Sequence, residues 1–238
     1  FASDLRAAQY RKCAALRSDA KLSISSSEMV KFSDSVVNLE KIWNETSYSI
    51  KSIRDNPVSA KEEYDLIEKF DDQGLVAIDN FKFSTQLPAF NQNLKPKVAI
   101  FREQGVNGQN EMAAAFILAG FEASDIHMQD VLDNPSLLEE FQGLAACGGF
   151  SYGDVLGAGG GWSSSIRYNN GVRDAFEHFF NRDETFTFGV CNGCQMLSNI
   201  KDLIPGAENW PEFLWNESDQ FEARLSQVTI AQSKSVLL

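Results

Sequence analysis

TFTFGVCNGCQM, residues 185–196, changes character in its middle: an alternating run of threonine and phenylalanine gives way to a cysteine among small residues, then to an apolar stretch of helical spacing. The first half predicts a short buried strand over 185–190, and the second a helix opening near Met196. Where a strand turns sharply into a helix, the residue at the bend is displayed rather than buried. Gly189 and Gly193, two positions before and two after Cys191, let the backbone fold that tightly. Cys191 is the residue so displayed. Its sulfur falls at a helix amino terminus, where unpaired N–H groups and the helix dipole favour an anion. The same groups, beginning with that of Asn192, suit an oxyanion. Cys194, one turn further on, reads as a small buried hydrophobe of the helix.

A second element fits the first. ACGGFSYGD, residues 146–154, follows a predicted strand over Leu144–Cys147, and its paired glycines, Gly148 and Gly149, free the backbone to aim its N–H groups. If the two strands end at the same sheet edge, this loop faces Cys191 and completes a hole for a tetrahedral intermediate. Taken alone, it reads equally as a tight turn or an anion cradle. The nearby GAGGGW, residues 157–162, has Trp162 where a dinucleotide fingerprint needs its third glycine, and no helix is expected to open there at once, so nucleotide binding is rejected.

Working outward, VAIF (98–101) predicts a strand, Asn110–Ala119 an alanine-rich helix closed by Gly120, Ser124–Met128 a strand and Pro135–Phe141 a short helix. Ser163–Asn181 predicts one long helix with Val172, Phe176, Phe179 and Phe180 on one side. Strands alternating with helices at this pitch imply an α/β architecture, a mostly parallel sheet covered on both faces with its ligand crevice at the carboxyl ends of the strands. After Asn209 the stretches PEFLW and FEARLSQVTIA read as antiparallel strands added to that sheet.

Residues 1–95 hold one of the 16 glycines and 13 basic against 14 acidic side chains, whereas residues 96–238 hold 8 against 19. Two units follow, 1–95 and 96–238, joined near Lys95 in the proline-bracketed stretch QLPAFNQNLKP of residues 86–96. In the first unit, Val36–Asp55 predicts an amphipathic helix stopped by Asn56-Pro57, its face of Leu39, Trp43 and Tyr48 serving as ordinary core. Leu22–Phe32 predicts a short hairpin before it.

The net charge of −12 repels phosphate backbones and anionic headgroups, which argues against nucleic-acid and membrane partners. No apolar run approaches the roughly 20 residues of a membrane-spanning helix, and the amino terminus lacks a secretory pattern. Four cysteines, two of them in a CxxC, suit a reducing compartment, so a cytoplasmic location is expected. The first residue is Phe rather than Met, which is expected of a processed chain or a piece of a longer one.

GVCNGCQ after a buried strand, the preceding ACGGFSYGDVLGAG, the opening PKVAIFREQGVNGQNEMAAAF and the later NESDQFEAR together resemble the class I glutamine amidotransferase domain of the phosphoribosylformylglycinamidine synthases. LEKIWNETSYSIKSIRDNP (39–57) resembles the segment that joins the ATP-dependent synthetase part to the glutaminase in the large single-chain form, while residues 1–21 match nothing in it. The resemblance implies a flavodoxin-like three-layer sandwich, truncated at its carboxyl end and preceded by a small, mostly helical segment. It implies a cysteine attack on glutamine, a γ-glutamyl thioester and ammonia delivered to a synthetase domain of the same chain. There formylglycinamide ribonucleotide, activated by ATP and magnesium, becomes the amidine; no cofactor is implied for residues 1–238 themselves. Carried over, Cys191 is the nucleophile, Gly148, Gly149, Phe150 and Asn192 surround the oxyanion, Gln195 lines the glutamine pocket, and Phe221 and Arg224 shape it.

One part of the pattern is absent. The family needs a His and a Glu two residues apart on a later strand to take the thiol proton, and no histidine follows Cys191. His178, four positions after Asp174, reads as a solvated ion pair, and His127, at a strand end, as a neutral structural residue. The expectation is that the His- and Glu-bearing part lies outside this sequence and that these residues alone do not turn glutamine over. Rival readings are a CxxC thiol oxidoreductase using Cys191 and Cys194, a stress-response hydrolase in which Glu103 touches the thiol, and an interaction module with an unreactive elbow. A zinc site lacks two of its four ligands. For Glu103 the plain expectation is a loop carboxylate paired with Arg102 or a helix end.

Overall fold

A computed structural model of the chain describes residues 18–26, 29–69 and 94–230, with positions 71, 72, 74, 76, 78, 232 and 235 besides. The described residues fall into two compact units, one running up to Ile78 and taking in Trp215–Val228, the other spanning the intervening residues through Leu214 together with those from Thr229 on. Most of the expected 86–96 junction lies outside the described residues.

In the first unit, β1 (Lys21–Ser26) and β2 (Met29–Ser35) pair as an antiparallel hairpin, with an irregularity between Ile24 and Ser25. Helix α1 (Val36–Arg54) starts where the Ser35 side chain accepts the Asn38 N–H, and Lys51 and Arg54 sit in its last turn, where the dipole favours cations. Asn56-Pro57 stops it, as expected, and also starts α2 (Pro57–Leu66), which the sequence reading lacked: Asn56 Oδ1 accepts the Val58 and Ser59 N–H groups and Pro57 takes the first helical position. Tyr48 of α1 stacks on Tyr64 of α2, centroids 4.5 Å apart. The expected core face fails at Trp43, which is 84% exposed. Trp43 and Tyr48 are five residues apart and so about 140° around the helix, and the side that meets α2 turns Trp43 outward. Backbone 217–218 is held to this unit by Asn56, whose Nδ2 donates to the Glu217 carbonyl at 2.9 Å.

The second unit is built on a four-stranded sheet of β3 (Lys97–Arg102), β4 (Glu122–His127), β5 (Gly143–Ala146) and β6 (Phe186–Gly189), in the order β4-β3-β5-β6 and parallel throughout. Side chains alternate across it. Ala99, Phe101, Leu144 and Ala146 face one way, into a core with α4 (Met128–Asp133), α5 (Gly160–Arg167), α6 (Asn170–Asn181) and α7 (Asn192–Asn199). Val98, Ile100, Ala145 and Cys147 face the other, against α3 (Gln109–Leu118), Phe121 and Phe186. Phe101 anchors the larger core, its ring 5.2 Å from Trp162 and 5.5 Å from Phe176. This is the three-layer, flavodoxin-like arrangement, and the strand order fixes its consequence: β5 and β6 end side by side, Ala146 opposite Gly189.

Four expectations need correction here. The long helix over 163–181 is two helices, because Asn169 leaves helical geometry and its side chain accepts the Val172 N–H as a new amino-terminal cap. One of them, α5, opens inside the GAGGGW stretch at Gly160, so the absence of an immediate helix there is wrong. From Asn209 to Ile230 no strand forms. Near Pro211 the backbone is held by side chains, with Ser198 Oγ donating to the Pro211 carbonyl and Lys201 Nζ to that of Trp210, and Leu225, Val228 and Ile230 are exposed with no face to bury. A strand exists by its ladder, and here there is none. The helix expected near Met196 opens four residues earlier, at Asn192.

Candidate active site

Cys191 lies between β6 and α7 as the helix N-cap, at φ 52 and ψ −113, and is exposed. A non-glycine residue in that region stores on the order of 1–3 kcal/mol and persists only where its surroundings over-determine it. Here they do. Val190 N–H donates to the Ala146 carbonyl at 3.0 Å, Gly193 N–H to Val190 at 2.9 Å and Gln195 N–H to Cys191 at 3.0 Å. Gly193 is forced, since a β-carbon there would sit 2.2 Å from the Ala146 carbonyl oxygen. As the first residue of α7, Asn192 has an N–H with no intrahelical acceptor.

The loop after β5 comes to the same place. A β-carbon on Gly148 would stand 3.1 Å from the Cys191 β-carbon and 3.8 Å from its sulfur. Gly149, at φ 136, pairs antiparallel with Val106: Asn107 N–H donates to the Gly148 carbonyl and Phe150 N–H to that of Gly105, both at 2.9 Å. In a pair of this kind the bridging residue's own N–H points away from its partner, so the Gly149 N–H is directed off the 105–107 segment. The Phe150 N–H is committed to Gly105, and its ring is 67% exposed.

Beyond Phe150 the loop is bolted at two points. Asn192, wholly buried, accepts at Oδ1 from the Ser151 N–H (3.2 Å) and hydroxyl (2.7 Å) and donates from Nδ2 to Asp154 Oδ1 (2.9 Å). Tyr152, Gly153 and Asp154 all have φ between 53 and 64. The second bolt is the Tyr152 hydroxyl, which donates to Glu103 Oε2 at 2.9 Å. Glu103 is 4% exposed; its other oxygen accepts the Gln104 N–H at 2.6 Å and faces His127 Nε2 at 3.5 Å. Burial pushes the Tyr152 hydroxyl above its usual range, with Ser165 opposing.

These contacts place several of the residues singled out in the sequence. Glu103 does not pair with Arg102, which is held by Asp125 across the β3–β4 register. It is turned to Tyr152, Gln104 and His127. His127 ends β4 as expected and caps α4, its Nδ1 accepting the Gln129 N–H at 3.0 Å, which leaves the ring proton on the nitrogen facing Glu103. The Asp174 carboxylate is bonded to Arg173 rather than to His178. Cys194 is half-buried, and burial pushes its thiol up. Gln195 is half-buried in the first turn of α7. Phe221 is exposed and Arg224 is ion-paired with Glu222; both belong to the other unit. Ser151 and Asp154 were missed, although both stand in the ACGGFSYGD stretch; two polar residues on either side of a Tyr-Gly pair in a turn were the available signal.

Fold and site define an α/β protein that displays a thiol on a strand–helix elbow against a glycine loop. Residues 95–238 match the family of CobB/CobQ-like glutamine amidotransferase domains, and the chain belongs to that family. Among solved structures it is similar to PurLQS from Thermotoga maritima, at 27% identity and a TM-score of 0.34 over 45% of each chain, so it spans less than half the length of that one. No described helix is long and apolar enough to cross a membrane.

Proposed function

We propose that this chain is the glutamine-hydrolysing part of a phosphoribosylformylglycinamidine synthase, feeding ammonia to an ATP-dependent synthetase domain of the same protein in purine biosynthesis. Family membership supports the glutaminase half of this reading, and the motif resemblance of residues 39–57 and 96–238 supports the rest. The single observation that carries it is the exposed Cys191 held at positive φ beside Gly148. In the reaction the Cys191 thiolate adds to the carboxamide carbon of glutamine. The N–H groups of Asn192 and of the Gly148–Gly149 turn meet the oxyanion. As the adduct collapses the C–N bond breaks, the nitrogen takes a proton and leaves as ammonia. Water then cleaves the γ-glutamyl thioester to glutamate and returns the thiol.

The proton acceptor is assigned to neither histidine. Both His127 ring nitrogens are engaged, by Gln129 and Glu103, and His178 lies on the exposed side of α6. ATP and magnesium belong to the synthetase step. Among the described residues no three acidic, His or Cys side chains gather as a ligand set.

The test is alkylation with the chloromethyl ketone analogue of glutamine, read by mass spectrometry. Cys191 is expected to be labelled alone, glutamine to protect it, Cys191→Ser to abolish the reaction, and this chain by itself to release no glutamate above background. Labelling at both Cys191 and Cys194 without protection by glutamine would sink the reading.

A further inference from the structure

The geometry points to a clamp: the Asn192 side chain, gripping Ser151 and Asp154, holds the glycine loop at the distance from Cys191 at which its amides meet the oxyanion. The inference rests on the glutaminase reading and deepens it. The residue after the nucleophile then serves the site twice, by its backbone N–H and by its carboxamide. Asn192, Ser151 and Asp154 are positioning residues; none of the three side chains is assigned a contact with substrate.

Three observations support it. Asn192 is wholly buried and its carboxamide makes three hydrogen bonds, all of them to the one loop. Those bonds close a loop whose residues 152–154 all have positive φ, a strained backbone tied otherwise by the Tyr152 N–H to the Gln104 carbonyl and the Gly153 N–H to that of Phe150. Asp154 Oδ1 is shared with the Gly159 N–H at 3.4 Å, just ahead of α5, so the acceptor is itself tied to a helix. Releasing the clamp cuts the tie between α7 and this loop, leaving Gly148 and Gly149 positioned by their pairing with residues 105–107 and by the Tyr152–Glu103 contact, while Cys191 stays on its own elbow.

The chemistry of the pair supplies its own control. Asn192→Asp puts a carboxylate oxygen where an N–H met Asp154, so two acceptors oppose each other. Asp154→Asn alone still offers a carbonyl to the Asn192 Nδ2. The double variant restores an N–H···O bond in the reversed direction, at the wild-type charge. Two reagents separate the effects, in the full-length enzyme. The chloromethyl ketone analogue of glutamine passes through a tetrahedral adduct at its ketone before chloride leaves, and so needs the oxyanion site. Iodoacetamide needs only the thiolate.

In Asn192→Asp the limiting inactivation rate by the ketone is expected to fall about 10- to 100-fold with the half-saturating concentration within about threefold, as for a misplaced oxyanion donor. Iodoacetamide should react within about threefold of wild type. Asp154→Asn should be near wild type, and Asn192→Asp/Asp154→Asn should recover most of the loss, a non-additivity that only a direct contact gives. Ser151→Ala, which keeps the Ser151 N–H bond, should lie between the extremes and decides the matter if the single Asp variant does not fold by circular dichroism. Parallel losses with both reagents, a folded Asn192→Asp that reacts like wild type, or a double variant no better than the single overturns the clamp. If wild-type Cys191 is neither labelled by the ketone nor protected by glutamine, the glutaminase reading itself fails and the clamp falls with it.

Discussion

Cys147 shows what a cysteine does when it is not displayed. It follows β5 directly, is 1% exposed and packs among Val98, Ile100, Phe116 and Ala145, and burial pushes its thiol up to about 11. Since the folded state holds the proton more tightly than the unfolded chain, whose thiol titrates near 9.0, Cys147 contributes stability that is whole below about pH 9 and is lost as the pH rises towards 11. Urea midpoints measured between pH 8 and 11 should therefore fall less steeply for Cys147→Ala than for wild type, and identical slopes would contradict the account. At this scale the sequence was legible where backbone chemistry alone decides. Cys191, Gly148 and Asn192 follow from small residues at a strand end. Glu103, Tyr152 and the Asn192–Asp154 contact were not legible, because they join residues 38 to 49 positions apart and only the finished sheet brings them together.

Elements were readable wherever their apolar period and their caps agreed. β3 and α3, closed by Gly120 at φ 95, stand where expected. The division between α5 and α6 was hidden because the apolar pattern runs on past Asn169, while the local capping bond to Val172 wins. The strands expected after Asn209 failed for the opposite reason, since alternation without a partner edge builds nothing. α5 has a further task. Arg167 in its last turn donates to the carbonyl of Asn199 at 2.7 Å, at the carboxyl end of α7, and forks onto Asp202, whose carboxyl the guanidinium holds below its usual range. Cation and open carbonyl together tie the end of the cysteine-bearing helix. Arg167→Ala is expected to cost about 1 kcal/mol at neutral pH, part of the pair being open to solvent, as read from urea denaturation. The Asp202 share of that cost is present above its unfolded pKa and disappears as the pH falls through the lowered folded value, so the gap between the two proteins should narrow in acid.

For the whole molecule, the sequence indicated two regions from glycine and charge alone, but not that residues 215–228 would join the first. The four tryptophans, two in each region, report on the packing of the second. Trp162 is 0% exposed in the main core, whereas Trp43, Trp210 and Trp215 are 84%, 40% and 91% exposed. Acrylamide, uncharged and so indifferent to the net charge of −12, should quench most of the fluorescence and leave a resistant fraction that Trp162→Phe removes. Uniform quenching of all four would contradict the packing of the second unit.

Gly159, at the start of α5, would drive a β-carbon to 2.5 Å from the Met196 nitrogen in α7. Two backbones that close cannot slip past one another, so these helices travel as one rigid lever with the sulfur at its tip. The Asn192 bonds join the glycine turn to that same frame, so an incoming amide meets a cleft whose two walls are set together.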